Sequence, residues 1–303
     1  MNNYPEITIG LPLRNRARFL KRRLNSILSQ SFKNFELIIS DNASTDDTKE
    51  ICKKYQKKDE RIAYIKQKRN LGIARNFIFV LTKARGKYFI WAADDDQWEK
   101  NFLTRLKAGL DKNNKCGVAM CSTERRYVDG RLRDRISFSG KKSLNYLNYR
   151  QVFAKMMKGD PIHIFIYGLF RTEILRKMTK RPFPTCMAGD RVFMCQTALT
   201  TRFFSLGDFL YFRRVYKKPI NQRYKTSSIG DEWSNPKRNV KYILTLFKFL
   251  ITSDTIPFYR KFWIFPYWFL LIWRNRNLLV YELFPRYNRL RKKIDTLFSN
   301  SVG

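Results

Sequence analysis

Short continuous apolar runs alternate with amphipathic stretches along the first part of the chain. The runs EITIGLPL, FELIIS, IAYIKQ, KYFIWAA and GVAMCS have the length of buried strands. Between them, stretches such as ARFLKRRLNSILSQ and IARNFIFVLTKA carry apolar residues at helical spacing. Strands that alternate with helices of this length predict βαβ units, and therefore an α/β fold with a mostly parallel sheet flanked by helices.

The pattern changes twice in the second half of the chain. After about residue 130 the alternation loosens, although MAGDRVFMCQTALT predicts a helix that begins near Gly189 and Asp190. From about residue 235 the composition becomes aromatic and basic. We therefore expect two parts, an α/β domain over residues 1–230 and a basic, aromatic, helical extension over residues 231–303.

The extension is predicted to associate with a membrane surface. Its uninterrupted apolar run, Phe262 to Trp273, has about 12 residues and contains Pro266, whereas a helix needs roughly 20 apolar residues to span a bilayer. Residues 256–303 hold nine Lys and Arg but only two acids. Aromatic side chains beside basic ones suit the interface of an anionic membrane. Nucleic acid is the less favoured partner, because the aromatic residues form one block instead of being spaced along a groove.

Carboxylates follow two of the predicted strands. Asp41 ends FELIIS, and Asp94, Asp95 and Asp96 come directly after KYFIWAA. Ligands of such sheets bind at the carboxyl ends of the strands. Three adjacent carboxylates raise one another's pKa, and Mg²⁺ or Mn²⁺ held together with substrate phosphates would stabilise them. The alternative is an acidic turn that caps the next helix.

Other candidate residues have two interpretations each. Asp41 could accept hydrogen bonds from a nucleoside, or belong to a loop with a capping Ser or Thr. Asp190 is either a helix cap or a general base. His163, the only histidine, stands among apolar residues and is expected to be structural.

Composition limits the binding partners and the cellular compartment of the protein. The chain has 61 Lys and Arg against 25 Asp and Glu, a net charge of +36, which favours polyanionic partners. Its five cysteines form no CxxC pair and are expected to be reduced thiols. The segment MNNYPEITIG lacks the pattern of a secretory signal. We therefore expect a cytoplasmic protein, peripheral on the cytoplasmic face of the membrane.

Taken together, these segments resemble family 2 glycosyltransferases, which have the GT-A fold. The stretch ITIGLPLRNRARFLKRRLNSILSQSFKNFELIISDNASTDDT is similar to the opening of that family, with its Pro-x-x-Asn-Arg turn and acidic Ser-Thr-Asp turn. RNLGIARNFIF and ARGKYFIWAADDDQW resemble its Asn-x-Gly segment and its metal motif. The resemblance covers roughly residues 5 to 130, and more loosely extends to about 215.

The resemblance implies metal-dependent transfer of a sugar, of the hexosyl type, from a nucleotide-sugar donor with inversion. The acceptor would be a lipid-linked saccharide or a cell-surface polysaccharide precursor. The resemblance implies Mg²⁺ or Mn²⁺ binding for Asp95 and Asp96, and base catalysis for Asp190. It implies contact with the nucleotide or the sugar for Pro12, Arg14, Asp41, Asn70, Asn76 and Asp94.

The sequence departs from the family pattern at three places. Arg14 stands where an aromatic residue is common, and Ala93 stands where many members have an Asp. Tyr216 occupies the position of a late histidine ligand, so we expect no histidine on the metal, and Arg213 or Arg214 is expected at the diphosphate. The alternative function is an inactive GT-A module that binds anionic lipid or nucleic acid. A nucleotidyltransferase is disfavoured, because GLPLRNR is not a Gly-rich phosphate loop.

Overall fold

The structure is a computed structural model that describes residues 4–216 and 237–283, except 182, 185 and 187. The strands are β1 (Ile7–Leu13), β2 (Phe35–Asp41), β3 (Ile62–Lys66), β4 (Tyr88–Trp91), β5 (Gln97–Trp98), β6 (Cys116–Tyr127), β7 (Leu132–Ile136), β8 (Leu169–Arg171) and β9 (Arg202–Val215). The helices are α1 (Ala17–Leu28), α2 (Thr48–Gln56), α3 (Ile73–Thr82), α4 (Phe102–Lys112), α5 (Tyr149–Lys158), α6 (Thr172–Met178), α7 (Gly189–Thr200), α8 (Arg238–Ile251), α9 (Phe258–Lys261), α10 (Ile264–Arg274) and α11 (Arg276–Leu283).

The strands of the described part form one mixed sheet in the order β3-β2-β1-β4-β8-β6-β9-β5, with β7 paired to β6. Strands β1 to β4 are mutually parallel, and β6 is parallel to β9. Strand β8 runs antiparallel to both β4 and β6. The predicted α/β fold with a mostly parallel sheet is therefore confirmed.

The strand order reverses beside β1, which pairs with β2 on one side and β4 on the other. In register, Leu13 lies opposite Asp41, and Gly10 lies opposite Trp91. The loops after these strands consequently leave the same edge of the sheet. A reversal of this kind opens a crevice at the carboxyl ends of the strands, where ligands of such sheets bind.

Burial explains why the strands read as continuous apolar runs. Every residue of β1, β2 and β4 is buried, as expected for a parallel sheet covered on both faces. Helix α3 packs so closely on β1 that a Cβ atom at Gly10 would lie 2.7 Å from both Phe89 and Val80. A glycine at this position therefore sets the distance between helix and sheet.

A buried polar network closes the amino-terminal edge of the sheet. Thr8 donates its hydroxyl to Glu36 Oε1 at 2.6 Å. The backbone N–H of Arg85 donates to the same oxygen at 2.8 Å, and Arg85 Nε donates to Glu36 Oε2 at 2.9 Å. One carboxylate thus joins β1, β2 and the turn before β4, at the edge opposite the crevice.

The second half contains more strand than its loose pattern suggests. Strands β6 and β9 have 12 and 14 residues and pair in parallel, with register shifts near Cys121 and Ser122. Most residues of β9 after Ser205 are only partly buried. A long, irregular and half-covered strand lacks the continuous apolar run by which the buried strands are identified.

The C-terminal helices pack on the α/β domain. Tyr242, Ile243, Leu246 and Leu250 of α8 belong to the same buried core as the sheet. Glu282 of α11 accepts hydrogen bonds from the N–H groups of the first residues of α8, at 3.0 and 2.9 Å. The expected boundary near residue 230 lies outside the described residues, so the division into two parts stays a prediction.

Two further features concern the described residues as a whole. None of their helices combines the length and apolarity that crossing a bilayer requires. The five cysteines lie in described segments as buried thiols. Burial raises the pKa of the Cys52, Cys121 and Cys195 thiols to about 12.

Candidate active site

A cavity of about 1190 Å³ lies at the carboxyl-terminal edge of the sheet. The loops after β1 and β4 form one side of it, and the start of α7 forms another. Residues of α8 and α10 complete the wall. The N-terminal and C-terminal parts of the chain therefore share one cavity.

The structure brings together most of the residues that the sequence singles out. Those that line the cavity are Pro12, Arg14, Asn70, Asn76, Asp94, Asp95, Asp96 and Asp190. They come from separate segments of the chain and meet because the crevice collects the loops at one edge of the sheet. Asp41 is the exception, since it does not line this cavity.

Asp41 lies behind the cavity wall and is fully buried. Its Oδ1 accepts a hydrogen bond from the backbone N–H of Ser44 at 2.8 Å, and its Oδ2 accepts one from the Tyr64 hydroxyl at 2.7 Å. The adjacent residue, Asn42, lines the cavity instead. Contact of Asp41 with a base or ribose stays a prediction.

Three asparagines form hydrogen bonds between the segments of the cavity wall. Asn42 Nδ2 donates to Asn70 Oδ1 at 2.8 Å, and the N–H of Leu71 donates to Asn42 Oδ1 at 2.7 Å. Asn76 accepts the Ser40 hydroxyl at 2.6 Å and donates to the Ser40 carbonyl at 3.1 Å. These bonds fix the loops after β2 and β3 against the start of α3.

The three consecutive aspartates have different partners. Asp94 Oδ2 accepts a hydrogen bond from Arg16 Nε at 2.7 Å. Asp95 Oδ2 accepts one from the Tyr216 hydroxyl at 2.5 Å. Asp96 is 3% exposed, and both of its oxygens are engaged, by the Tyr211 hydroxyl at 2.6 Å and the N–H of Arg214 at 2.7 Å.

Burial dominates the electrostatics of this segment. It raises the pKa of Asp94 to about 6, against the lowering effect of Arg16. It raises the pKa of Asp96 to about 7, and the charge of Asp95 adds to that increase. The ionised segment therefore needs nearby positive charge to be stable.

Arg23 is a site residue that the motifs do not reveal. It is buried beneath the acidic segment, and its Nη1 donates to the Asp96 carbonyl at 3.2 Å. Its guanidinium carbon lies 4.0 Å from the centroid of the Trp98 ring. Burial lowers its pKa to about 10, against the raising effects of Tyr211 and Asp96. A signal existed, since Arg23 shares the apolar stripe of α1 with Leu20, Leu24 and Ile27.

Two further arginines line the cavity beside the aspartates, at the end of β9. Arg214 packs its guanidinium carbon 4.3 Å from the centroid of the Phe19 ring. Its Nη1 is buried and has no hydrogen-bond partner within the described part of the chain. For Arg213, burial opposes the charged form, but Tyr167 and Asp96 raise the pKa overall. These cations suit an anionic group of a ligand.

Asp190 stands in the first turn of α7 and faces the cavity. The residue before the helix, Ala188, has φ 58°, in the left-handed region that a non-glycine residue seldom adopts. A Cβ atom at Gly189 would lie 2.3 Å from the Pro184 carbonyl oxygen, so this turn presses closely on the preceding chain. Strain of this kind is often found at functional sites.

His163 also lines the cavity, which the expectation of a structural histidine does not anticipate. Burial lowers its pKa to about 4, against the raising effect of Asp190. Its Nδ1 has no hydrogen-bond partner among the residues described. A neutral imidazole therefore stands near the candidate base.

The cavity offers a divalent cation few ligands from the protein. No group of three His, Cys, Asp or Glu side chains in the described residues converges on one point. Mg²⁺ is usually held by one or two carboxylates together with substrate phosphates, so a single carboxylate at this cavity suffices as the protein's share. Asp95 fits that part better than Asp96, whose oxygens are both engaged.

Known proteins resemble parts of the chain. TuaG of Bacillus subtilis, a putative teichuronic acid biosynthesis glycosyltransferase, is 34% identical over 108 residues, 35% of this chain and 42% of that protein. A GalNAc(5)-diNAcBac-PP-undecaprenol beta-1,3-glucosyltransferase of Campylobacter jejuni is 27% identical over 170 residues, 56% of this chain and 54% of that protein. The matches thus span about half of these relatives or less.

Solved structures resemble the whole fold. The crystal structure of S. aureus TarS 1-349 with UDP-GlcNAc has a TM-score of 0.67 at 19% identity and covers 92% of this chain and 79% of that one. The mannosyltransferase PcManGT of Pyrobaculum calidifontis, with GDP-Man and Mn²⁺, has a TM-score of 0.56 at 16% identity, with coverages of 90% and 76%. At these identities the likeness concerns the fold.

The family model of glycosyl transferase family 2 matches residues 8–179, from the second residue of β1 to just beyond α6. This range is more than half of the chain and contains the three aspartates. The chain therefore belongs to glycosyl transferase family 2.

Proposed function

We propose that the protein transfers a sugar from a nucleotide-diphosphate sugar to an acceptor hydroxyl, with inversion at the anomeric carbon. The observation that carries this proposal is a single cavity in which Asp94, Asp95, Asp96 and Asp190 lie with Arg214. The UDP-GlcNAc and GDP-Man bound by proteins of the same fold support a nucleotide-sugar donor. The names of the relatives support an acceptor in cell-surface glycan synthesis, lipid-linked in one of them.

The donor is assigned to the side of the cavity formed by the loops after β1 and β4. Pro12, Arg14, Asn70 and Asn76 would border the nucleotide, and Asp94 would face the ribose or sugar. A direct bond from Asp41 to the nucleotide would require the cavity wall to move, because Asp41 is fully buried and does not line the cavity. The buried Nη1 of Arg214 would gain a partner in the diphosphate.

Asp95 would hold a divalent cation, Mg²⁺ or Mn²⁺, together with the diphosphate of the donor. When bound, the cation supplies Lewis-acid stabilisation of the charge on the leaving group. The family resemblance implies Asp96 as a second ligand, but its bonds with Tyr211 and Arg214 favour a supporting role. Arg213 and Arg214 add positive charge at the same side of the cavity.

The transfer step needs a base on the acceptor side, and we assign it to Asp190. The acceptor oxygen attacks the anomeric carbon while the bond from that carbon to the diphosphate oxygen breaks. The electron pair stays on the diphosphate, and the hydroxyl proton passes to the Asp190 carboxylate. One displacement inverts the configuration, so no covalent intermediate with the protein is required.

We also propose that the enzyme works as a peripheral protein on the cytoplasmic face of the membrane. Its C-terminal helices expose aromatic side chains beside basic ones, which supports an interfacial position. This part of the proposal is independent of the chemistry at Asp95 and Asp190.

The first test is thermal unfolding in the presence of UDP, GDP, CMP or dTDP, with and without Mn²⁺. A ligand that binds only the folded state raises the melting temperature by mass action. We expect one nucleotide to give a shift that Mn²⁺ enlarges. Asp95→Asn should lose the enlargement, whereas Asp208→Asn, an exposed carboxylate paired with Arg105, should keep it.

Asp190→Asn separates binding from chemistry. It should keep the nucleotide shift and lose transfer by about 10²- to 10⁴-fold, measured as nucleotide released from the donor in the presence of an acceptor extract. Full transfer in this variant would refute the base assignment. The absence of any nucleotide shift, together with tight binding to oligonucleotides or anionic vesicles, would instead favour the inactive binding module.

A further inference from the structure

Helix α10 has two opposite faces with different surroundings. Phe265, Phe269 and Trp273 are exposed, by 43%, 61% and 65%. Leu271, Arg274 and Asn275 line the cavity that contains Asp190. Because successive helical residues turn by about 100°, Phe269 and Leu271 point about 160° apart. One helix is thus both an outer surface of the molecule and a wall of the candidate active site.

The outer face continues beyond α10. Phe258, Tyr259 and Phe262 before it are exposed by 77%, 58% and 62%. The rings of Phe258 and Phe262 are in edge contact, with centroids 5.6 Å apart. Exposed aromatic side chains that are grouped mark a binding surface more often than single ones do. We call this set the aromatic face; its residues are Phe258, Tyr259, Phe262, Phe265, Phe269 and Trp273.

The charged residues near the aromatic face indicate the chemistry of its partner. Arg260, Lys261 and Arg276 belong to the same segment, and the only acid between residues 258 and 283 is Glu282. Glu282 is buried and bonded to the start of α8, so it does not offset them. Aromatic residues in a segment with more cations than exposed acids complement an anionic lipid surface.

The inner face offers a cation at the rim of the cavity. Arg274 Nη1 donates to the Met157 carbonyl at 3.2 Å, which holds the side chain beside α5. Met157 and Asp190 line the same cavity as Arg274. A guanidinium at this place would form charge-assisted hydrogen bonds with a phosphate.

We propose that α10 connects the membrane to the acceptor side of the active site. The aromatic face inserts among the headgroups of an anionic membrane, and Arg274 binds the phosphate of an acceptor lipid whose sugar reaches Asp190. This inference rests on the proposed function, because it names the acceptor of the same cavity. The substrate class is a saccharide linked to a membrane lipid through phosphate.

The membrane part is tested by sedimentation of the whole chain with vesicles of phosphatidylcholine, with and without phosphatidylglycerol. The double variant Phe269→Asp/Trp273→Asp should reduce binding to the anionic vesicles by about tenfold or more. Tyr4→Asp is the control, since Tyr4 is 65% exposed but lies before β1, at the opposite edge of the sheet. Equal binding by the wild type and the double variant would overturn the proposal.

The phosphate part is tested with dodecyl phosphate as the probe, by calorimetric titration below its micelle concentration. Arg274→Gln should weaken the affinity about tenfold. Arg276→Gln is the matched control, because Arg276 lies two residues away and does not line the cavity. Equal losses in the two variants would overturn the assignment of a specific subsite.

Two further readouts separate the competing outcomes. The nucleotide shift with Mn²⁺, measured on the same samples, fails in the wild type only if the proposed function fails. It should persist in the double variant and in Arg274→Gln. A change from dimer to monomer in the double variant, with unaltered vesicle binding, would show that a second copy of the chain covers the aromatic face, and would overturn the membrane assignment.

Discussion

Asp94, Asp95 and Asp96 are neighbours in the chain, yet each is held by a different group. Arg16 pairs with the first, Tyr216 with the second, and Tyr211 with the third. The backbone bends at Asp94 and Asp95, so the three side chains leave it in different directions. The three carboxylates can therefore have different roles, and the one to which we assign the proposed cation is Asp95.

Arg23 is a buried cation whose loss of hydration is only partly offset by the nearby acids. Lowering its pKa from 12.5 to about 10 corresponds to about 3 kcal/mol against the charged form, so burial outweighs the attraction of the aspartates. Arg23→Met should nevertheless lower the free energy of unfolding by about 1–3 kcal/mol and lower transfer, because the aspartates lose a nearby cation and the Asp96 carbonyl loses its donor. Urea unfolding and nucleotide release measure the two effects.

The matched control is Arg22→Met, at the exposed neighbouring position. A surface substitution of this kind should change stability by no more than about 0.5 kcal/mol. Equal free energies of unfolding for Arg23→Met and Arg22→Met would contradict this role of Arg23.

His163 predicts a pH dependence of stability. Its pKa is about 4 in the folded state, against about 6.5 when unfolded, so protonation favours unfolding. The stability that the neutral His163 contributes is fully present above pH 6.5, and it is lost as the pH falls from 6.5 to 4. Wild type should therefore lose about 2–3 kcal/mol more than His163→Gln between pH 7 and about pH 4.

Urea unfolding at several pH values gives this difference directly. The raised pKa values of Asp94 and Asp96 act in the opposite direction over an overlapping range, but they are common to both proteins and cancel. The other charged groups that act on His163, namely Asp190, Arg191, Arg213 and Arg125, cancel likewise. Identical pH profiles for the two proteins would refute the burial of a neutral imidazole.

For single residues, the sequence predicts which side chains lie at the site but not which hydrogen bonds they form. Asp94 can be placed at the ligand-binding edge because the carboxyl ends of the strands have a fixed position in a doubly wound sheet, whereas Asp190 is expected there only from the family resemblance. The burial of Asp41 depends on Tyr64, which comes from another strand. The place of His163 on the cavity wall depends on packing in the irregular second half.

Among the elements, β1, β2 and β4 carry the site at one edge and a structural network at the other. Glu36 serves three donors on Thr8 and Arg85 at the amino-terminal edge. Because the two edges share no side chains, a change at one should leave the other intact. The network is thus a place to alter stability without altering the ligand site.

Glu36→Ala tests this separation. It removes the acceptor of buried donors and should lower the free energy of unfolding by about 1–3 kcal/mol, as measured in urea. The rise in melting temperature given by nucleotide and Mn²⁺ should be unchanged. Glu60→Ala, at an exposed position, is the control; a loss of the nucleotide shift in Glu36→Ala alone would show that the edges are coupled.

The elements found from the sequence are those with a continuous apolar run or a clear apolar period. They are strands β1 to β4, the first half of β6, and helices α1 to α4 and α7. Strands β7 and β8 have five and three residues, and β9 is only half-covered, so their composition lacks a period. Pairing with β6, a contact distant in sequence for β8 and β9, holds these strands in the sheet.

For the whole molecule, the net charge of +36 predicts how salt acts on membrane binding. The Debye length falls from about 10 Å at 0.1 M salt to about 3 Å at 1 M. Binding of the wild type to phosphatidylglycerol vesicles should weaken by about tenfold or more over this range, as measured by sedimentation. A residual, salt-resistant fraction should remain through the aromatic face, and its absence from the wild type would show that charge alone holds the protein on the vesicle.

The reactivity of the five buried cysteines can report local unfolding of the chain. A thiol of raised pKa, as at Cys52, Cys121 and Cys195, holds little thiolate at neutral pH, and a buried thiol is out of reach of an alkylating reagent. Each cysteine becomes reactive only when the segment that covers it separates from the core. The number and order of thiols labelled over time would therefore report which layers of the molecule separate first, in the native buffer and without any engineered label.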